Sequence, residues 1–313
     1  MSIQMLCKKR CANLSMLLII LALSNVLSAR AESSATELLE GAQKMRQYER
    51  LEPALQMIEK AIAKDPKNAA LYLEKARIYD DMGKEQDALA FYGKTLQLSP
   101  RNFEAYRARG DLYVSTKQFE KAVQDYSKAI EIIPDAKSAY ADRGRVYEIL
   151  KQYPKAIEDF TNAIKYTRPI RDWYYNHRAK CYENLKQYEK AEKDYDQALK
   201  IKPGSYEAIH GRAQMYVYLG KPDLAVVDYT NLLKVHPDDP DALIKRGDIF
   251  FNKGDNKNAL RDYDAAMAME IDESPHIHEK RAKVFRKTGK TDLAILEEKK
   301  AQQLRRSVAI PKI

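Results

Sequence analysis

Residues 103–136 read FEAYRARGDLYVSTKQFEKAVQDYSKAIEIIPDA, and their small and apolar residues follow two helical stripes. Positions 4, 8 and 11 of this segment share one face of a helix, and positions 20, 24 and 27 share one face of a second helix. Gly110 and Ala122, at positions 8 and 20, allow the two backbones to approach closely, while Tyr113 and Tyr126 fill the space beside them. The segment therefore predicts a pair of packed helices.

The same pattern recurs eight times along the chain. Units start at residues 35, 69, 103, 137, 172, 206, 240 and 275, with one extra residue before 172 and one before 275. Position 8 is always Ala or Gly, position 20 is always Ala, and Pro closes five of the units. Because no single unit could bury its apolar stripe alone, neighbouring units must stack on one another.

The 34-residue period and these positions resemble the tetratricopeptide repeat, over 274 of the 313 residues. The resemblance implies an all-α, right-handed superhelical solenoid of helix-turn-helix repeats at 35–308, with a short tail at 309–313. It also implies that a protein or peptide partner binds on a concave wall, formed by positions 2, 5, 9 and 12 or 13 of the first helices.

Those wall positions define a candidate peptide-binding groove. They combine cations, amides and aromatic rings, a mixture that suits an extended peptide. The candidate residues are Arg107, Arg145, Trp173, Asn176, Lys180, His210, Tyr218 and Phe251. The alternative is a solvated groove with no single ligand. The carboxylate clamp known from one branch of the family is not expected, because Asn176 here precedes Lys180 instead of following it.

Trp173, the only Trp in the chain, stands at position 2 of the fifth unit, directly after an irregular segment that carries an extra residue. A flat apolar ring with Arg145 and Lys180 beside it would suit an apolar peptide anchor next to a carboxylate. The competing interpretation is that Trp173 packs across the seam between the fourth and fifth units.

A second periodicity pairs charges within the units. Position 7 is Arg and position 23 is acidic in units three to eight, whereas units one and two lack both members of the pair. This joint loss predicts a ladder of Arg-carboxylate bonds between the two helices, within or between units. The alternative is that both residues only solvate the helix surfaces.

Residues 1–31 have the three zones of a secretory signal peptide, which are Lys8-Lys9-Arg10, the apolar run 14–27 and Ala29-Arg30-Ala31. We therefore expect cleavage before Glu32 and a periplasmic or secreted protein. The alternative is an uncleaved membrane anchor, because residues 12–29 are marginally long enough to span a bilayer. After cleavage Cys181 would be the only Cys, either buried and inert or paired with another molecule.

The positive charge is concentrated near the C-terminus, where residues 275–313 carry eleven Lys or Arg against four acids. A nucleic-acid partner is not expected, because such binders are basic along their length. The first helix of the last unit and its turn form a basic cap of Lys280, Lys283, Arg286, Lys287 and Lys290. This cap predicts either a solvated end or weak contact with an anionic membrane surface or polymer.

None of the catalytic motifs that we considered is present. The five His are not spaced as a helical metal pair, and there is no phosphate-binding Gly-rich loop or paired Cys motif. We therefore expect no enzyme activity, no metal and no cofactor. The predicted function is an exported protein-protein interaction module. The alternative is a scaffold that holds envelope components at an anionic surface through the basic cap.

Overall fold

The computed structural model describes residues 33–269 and 274–308. Sixteen α-helices and no strands form this part of the chain. The predicted signal peptide and the tail at 309–313 lie outside it. In chain order the helices are α1 (Ala35–Gln47), α2 (Leu51–Lys64), α3 (Ala69–Asp81), α4 (Glu85–Leu98), α5 (Phe103–Ser115), α6 (Phe119–Ile132), α7 (Lys137–Ile149), α8 (Tyr153–Tyr166), α9 (Asp172–Asn184), α10 (Tyr188–Ile201), α11 (Tyr206–Tyr218), α12 (Pro222–Val235), α13 (Pro240–Asn252), α14 (Asn256–Met269), α15 (Pro275–Lys287) and α16 (Thr291–Val308).

Each odd-numbered helix packs against the even-numbered helix that follows it, so the described helices form eight pairs that match the predicted repeats. The all-α repeat architecture expected from the sequence is confirmed. The pairs fall into two compact units: α1–α6 belong to the first, which ends at Pro134, and α7–α16 to the second, which begins at Asp135. The sequence pattern is continuous across this division and does not indicate it.

Every helix pair turns at position 15, where the backbone is left-handed. This position is Gly in four repeats, with φ of 70° at Gly83 and 69° at Gly220, and a non-glycine residue in the other four, with φ of 57° at Lys186. The backbone N–H of the next residue donates to the carbonyl of position 11, as Gln187 does to Tyr182 at 2.9 Å. This Schellman-type closure satisfies the last carbonyls of each first helix.

The predicted arginine ladder is confirmed. In each of repeats three to eight the position-7 Arg donates to the position-23 carboxylate of its own repeat, and in five of them the contact is a two-bond fork. Arg178, for example, bonds both oxygens of Asp194, at 2.7 and 2.8 Å. The ladder therefore ties the first helix to the second within a repeat.

The arginines also reach back to the preceding repeat. Arg178 donates to Thr161, Arg212 to Asp196 and Arg246 to Thr230, at distances between 2.6 and 3.1 Å. All three acceptors stand at position 25. Each of these arginines therefore links its own repeat to the preceding one. In the sequence, a hydroxyl or carboxylate side chain at position 25 indicates this second contact.

In the second repeat a different contact replaces the ladder. Lys75 takes the place of the Arg, and its Nζ lies 4.7 Å from the ring centre of Phe91, which takes the place of the acid. The same Nζ donates to Glu59 of the first repeat at 2.9 Å. In this repeat a cation-π contact therefore takes the place of the Arg-carboxylate pair.

Candidate peptide-binding wall

Side chains of successive odd-numbered helices bond to one another on one face of the second unit. The bonds join His177 to Glu148 at 2.7 Å, Lys180 to Glu207, His210 to Asp241 at 3.0 Å and Lys280 to Asp248 at 2.6 Å. We call this face the first-helix wall, meaning positions 2, 5, 6, 9, 12 and 13 of α7, α9, α11, α13 and α15. Its charges are largely paired between repeats.

A cleft of about 500 Å³ opens on the wall between α9 and α11. Its lining includes Lys180, Glu183, Tyr206, Glu207, His210 and Tyr218. Three of the predicted groove residues, Lys180, His210 and Tyr218, therefore line one cleft. Gly211 makes this arrangement possible, because a Cβ at that position would lie 2.2 Å from Cζ of the Tyr195 ring.

Trp173 does not line this cleft. Its half-buried ring packs against two buried clusters that include Ala141 and Phe160 of the fourth repeat. The edge of the His177 ring meets it at 5.4 Å between centroids. Of the two interpretations of Trp173, the structure therefore favours packing across the seam between the fourth and fifth repeats.

Asn176 differs from an ordinary groove residue, because its side chain is buried with only 1% exposed. Its Nδ2 donates to Oε2 of Glu207 at 3.3 Å, while Oδ1 has no hydrogen-bond partner among the described residues. This orientation of the amide is the one that places a donor against a carboxylate. The amide oxygen is left as a buried acceptor that has no donor in the described part of the chain.

The remaining predicted groove residues lie apart from the cleft. Arg145 is exposed on α7, and Phe251 is half-buried on α13 with Lys287 Nζ 4.7 Å from its ring centre. Arg107 belongs to α5 of the first unit. Within the second unit the structure thus concentrates the candidate site on α9 and α11.

Buried tyrosines at position 24 donate hydrogen bonds to acidic side chains of the first helices. Tyr126 donates to Asp111 at 2.6 Å and Tyr263 to Asp248 at 2.7 Å, while Tyr195 donates to Glu183 at 3.4 Å. Burial raises the pKa of Glu183, and the hydrogen bond from Tyr195 only partly opposes this. These contacts were not predicted, although acids at position 9 or 12 opposite a Tyr at position 24 are the signal for them.

Repeat six lacks such an acid, with Gln214 at position 9 and Val217 at position 12. The hydroxyl of its buried Tyr229 accordingly has no hydrogen-bond partner within the described part of the chain. This repeat supports the pairing of position-24 tyrosines with acids, because the tyrosine that faces no acid has no hydrogen-bond partner. On α11 the first-helix wall therefore lacks the acid that accepts a bond from the position-24 tyrosine in repeats such as the third and the seventh.

Models of the tetratricopeptide repeat match six segments of the chain, which are residues 57–90, 110–150, 138–169, 173–205, 210–269 and 245–308. The chain belongs to the tetratricopeptide repeat family. No curated protein matches the sequence.

Solved tetratricopeptide structures resemble the chain over most of their length. A protein from Parabacteroides merdae is 23% identical, with a TM-score of 0.54 over 80% of this chain and 98% of that one. The C-terminal part of a repeat protein from Cytophaga hutchinsonii is 19% identical, with a TM-score of 0.64 over 74% and 95%. YrrB, described as having an unusual peptide-binding site, is 22% identical, with a TM-score of 0.52 over 58% and 93%. At these identities the likeness concerns the fold alone.

The basic cap lies on the last tetratricopeptide repeat, and part of it is occupied within the protein. Lys280 is mostly buried against Asp248, Arg286 forks onto Glu298 with two bonds of 2.7 Å, and Lys287 donates to the carbonyl of Phe251. Lys283 and Lys290 are exposed and form no ion pair within 33–269 and 274–308. The cap is thus a weaker cationic surface than its sequence suggests.

Two features are absent from the described residues. None of their helices is long and apolar enough to cross a membrane. In the same residues no group of three or more His, Cys, Asp or Glu is arranged to hold a metal ion.

Proposed function

We propose that this tetratricopeptide repeat protein is an exported interaction module that binds an extended peptide segment of a partner on the first-helix wall, without catalysis. The cleft between α9 and α11 is the observation that carries the proposal. It combines an aromatic ring at Tyr218, 54% exposed, with polar side chains fixed by bonds between repeats. Fixed polar groups beside an exposed ring are suited to peptide recognition, because little side-chain order is lost on binding.

The family and its solved members support the general part of this proposal. Tetratricopeptide repeat proteins bind protein or peptide partners and are generally non-catalytic scaffolds. The peptide-binding site described for YrrB is a precedent on a similar fold. Recognition of a particular peptide by this chain is our extension from that precedent.

Peptide selection with matched variants tests the proposal. Peptides selected from a displayed random library on the purified protein should bind Tyr218→Ala at least about tenfold more weakly, as expected for an exposed aromatic anchor. Val227→Ala is the control, because Val227 on α12 is 53% exposed and lies off the wall. Equal affinities for both variants and the unaltered protein would place the peptide elsewhere and refute the wall as the binding surface.

Export is a separate part of the proposal with its own test. It is supported by the signal-like residues 1–31. The intact mass of the protein recovered from the exporting cell should match a chain that starts at Glu32. A mass that includes residues 1–31 would show instead that the segment is retained as an anchor.

A further inference from the structure

Of the two acidic side chains that line the cleft, Glu207 is paired with Lys180, whereas Glu183 has no ion-pair partner among the described residues. Lys180 donates to Glu207, and His210 is bonded to Asp241 of the next repeat, so both of these side chains already have acidic partners. Glu183 receives only the long 3.4 Å bond from Tyr195, on Oε2. Its Oε1 has no partner among the described residues, which leaves a half-buried carboxylate with spare capacity facing the cleft.

Asn176, which is bonded to the lining residue Glu207, carries a second acceptor that has no donor among the described residues. Its side chain is 1% exposed, and its Oδ1 has no donor within the described residues. A buried amide oxygen without a donor costs free energy until an N–H or O–H reaches it. Asn176 does not itself line the cleft, but its Nδ2 is bonded to Glu207, which does.

An aromatic platform flanks these acceptors. The Tyr218 ring lies nearly parallel to that of Tyr188, with centroids 4.5 Å apart and planes 13° apart. The stack holds the exposed ring in a fixed orientation. A flat cation can lie on such a face, and the guanidinium group does so more readily than the strongly hydrated ammonium group.

We propose that the cleft between α9 and α11 binds a cationic side chain of the partner peptide, Arg in preference to Lys, between the Glu183 carboxylate and the Tyr218 ring. This inference rests on the proposed peptide-binding function and specifies its chemistry. It reverses the sequence-based expectation of a peptide carboxylate beside Lys180, since Glu207 already neutralises that cation. The guanidinium group supplies N–H donors for the carboxylate oxygen of Glu183 that accepts no bond.

Titration of the isotope-labelled full chain with single blocked amino acids tests the cation subsite by NMR. The probes are N-acetyl amides of Arg, Lys, Gln and Glu. We expect saturable backbone-amide shifts within 180–218 for Arg, weaker ones for Lys, and none for Gln or Glu. Absence of saturable shifts with the Arg probe, or equal shifts with the Glu probe, would overturn the proposal.

Glu183→Gln provides the matching variant, because it keeps the shape of the side chain and removes its charge. We expect the affinity for the Arg probe to fall about fivefold, the scale of a partly exposed ion pair. The control is Glu189→Gln, which removes the same charge from the exposed surface of α10 in the same repeat. Amide spectra of both variants show whether each remains folded.

The results separate the subsite from the general function. Equal Arg affinity in Glu183→Gln and Glu189→Gln refutes the cation subsite, and the peptide-binding wall still stands if selected peptides depend on Tyr218. Loss of Tyr218 dependence in the library-selected peptides refutes the wall itself. A fall confined to Glu183→Gln, with enrichment of Arg among the selected peptides, supports both.

Discussion

Burial determines the chemistry of the single free thiol in the described residues. The side chain of Cys181 is 0% exposed, and this burial raises the pKa of its thiol to about 12. At pH 8 only ~10⁻⁴ of the thiol would be ionised, and the thiolate is the reactive form. The burial expected from its place beside Ala179 and Tyr182 is confirmed.

We predict that iodoacetamide modifies Cys181 in the native protein at least about 100-fold more slowly than in the denatured chain. Peptide mass spectrometry over time measures both rates. Gln302→Cys supplies an internal reference, because residue 302 is exposed on α16. Native labelling of Cys181 as fast as that of the reference thiol would show that the site opens readily.

The ladder arginines form a second residue-scale case. Asp194 is buried and accepts both bonds of Arg178, so Arg178→Ala would leave an unpaired buried carboxylate. We predict a loss of about 2 to 4 kcal/mol in the free energy of unfolding. Arg145→Ala, which removes an exposed cation, should cost less than about 0.5 kcal/mol.

A double-mutant cycle identifies the partner of Arg178. Denaturant unfolding of Arg178→Ala, Asp194→Asn and the double variant should give a coupling energy of at least about 1 kcal/mol. The same cycle with Asp159, which bonds to Arg143, should give a coupling near zero. Absence of coupling between Arg178 and Asp194 would contradict the hydrogen-bonded pair that they form in the structure.

At the scale of the element, the turns at position 15 store a small conformational cost wherever the residue is not Gly. Lys186 has φ of 57°, a region that costs a non-glycine residue about 1 kcal/mol. We predict that Lys186→Gly raises the free energy of unfolding by about 0.5 kcal/mol, since the more flexible unfolded chain offsets part of the gain. Thermal or urea unfolding measures the change.

Gly220→Ala is the matched reverse substitution. Gly220 has φ of 69°, and no atom lies within 4 Å of an added Cβ, so only the backbone conformation is affected. The variant should lose about 1 kcal/mol. If both substitutions changed stability in the same direction, backbone conformation would not be the controlling term at these turns.

The helices were predictable because one requirement repeats in every unit. Small residues at positions 8 and 20 of every unit have meaning only when two helices pack, and a ring at position 24 in six of the eight units supports the same pairing; this pattern predicted all eight pairs. The wall was less predictable, since its residues have no such constraint. The repeat spacing placed Lys180 and Asn176 on the wall. It could not reveal that Lys180 pairs with Glu207 or that Asn176 is buried by the packing.

At the scale of the whole molecule, formal charge overstates how much cationic surface is free to act. On the first-helix wall, ion pairs between repeats occupy most of the charged side chains. Asp248, for example, accepts hydrogen bonds from both Tyr263 and Lys280. Residue counts cannot show this, because a pair between repeats joins residues about thirty positions apart. Partner chemistry therefore depends on the wall groups that have no ion-pair partner among the described residues, such as Glu183.

The same reasoning applies to the last repeat and to the alternative role of a scaffold at an anionic surface. Four of its lysines are exposed, and their side chains make neither an ion pair nor a hydrogen bond within the described residues: Lys283, Lys290, Lys299 and Lys300. Each cation near an anionic membrane contributes up to about 1 kcal/mol, and the field reaches ~30 Å at 0.01 M salt but only ~8 Å at physiological salt. Any contact with such a surface should therefore depend strongly on salt.

We predict that the protein adsorbs to phosphatidylserine vesicles at low salt and that this adsorption is lost at about 0.15 M salt. Converting Lys283, Lys290, Lys299 and Lys300 to Gln should lower low-salt partitioning in vesicle sedimentation by at least about tenfold. The control changes the net charge equally by converting four exposed lysines elsewhere, Lys44, Lys60, Lys67 and Lys137. Equal losses in both variants would mean that net charge alone drives adsorption, and no loss in the first would refute a role for the basic end.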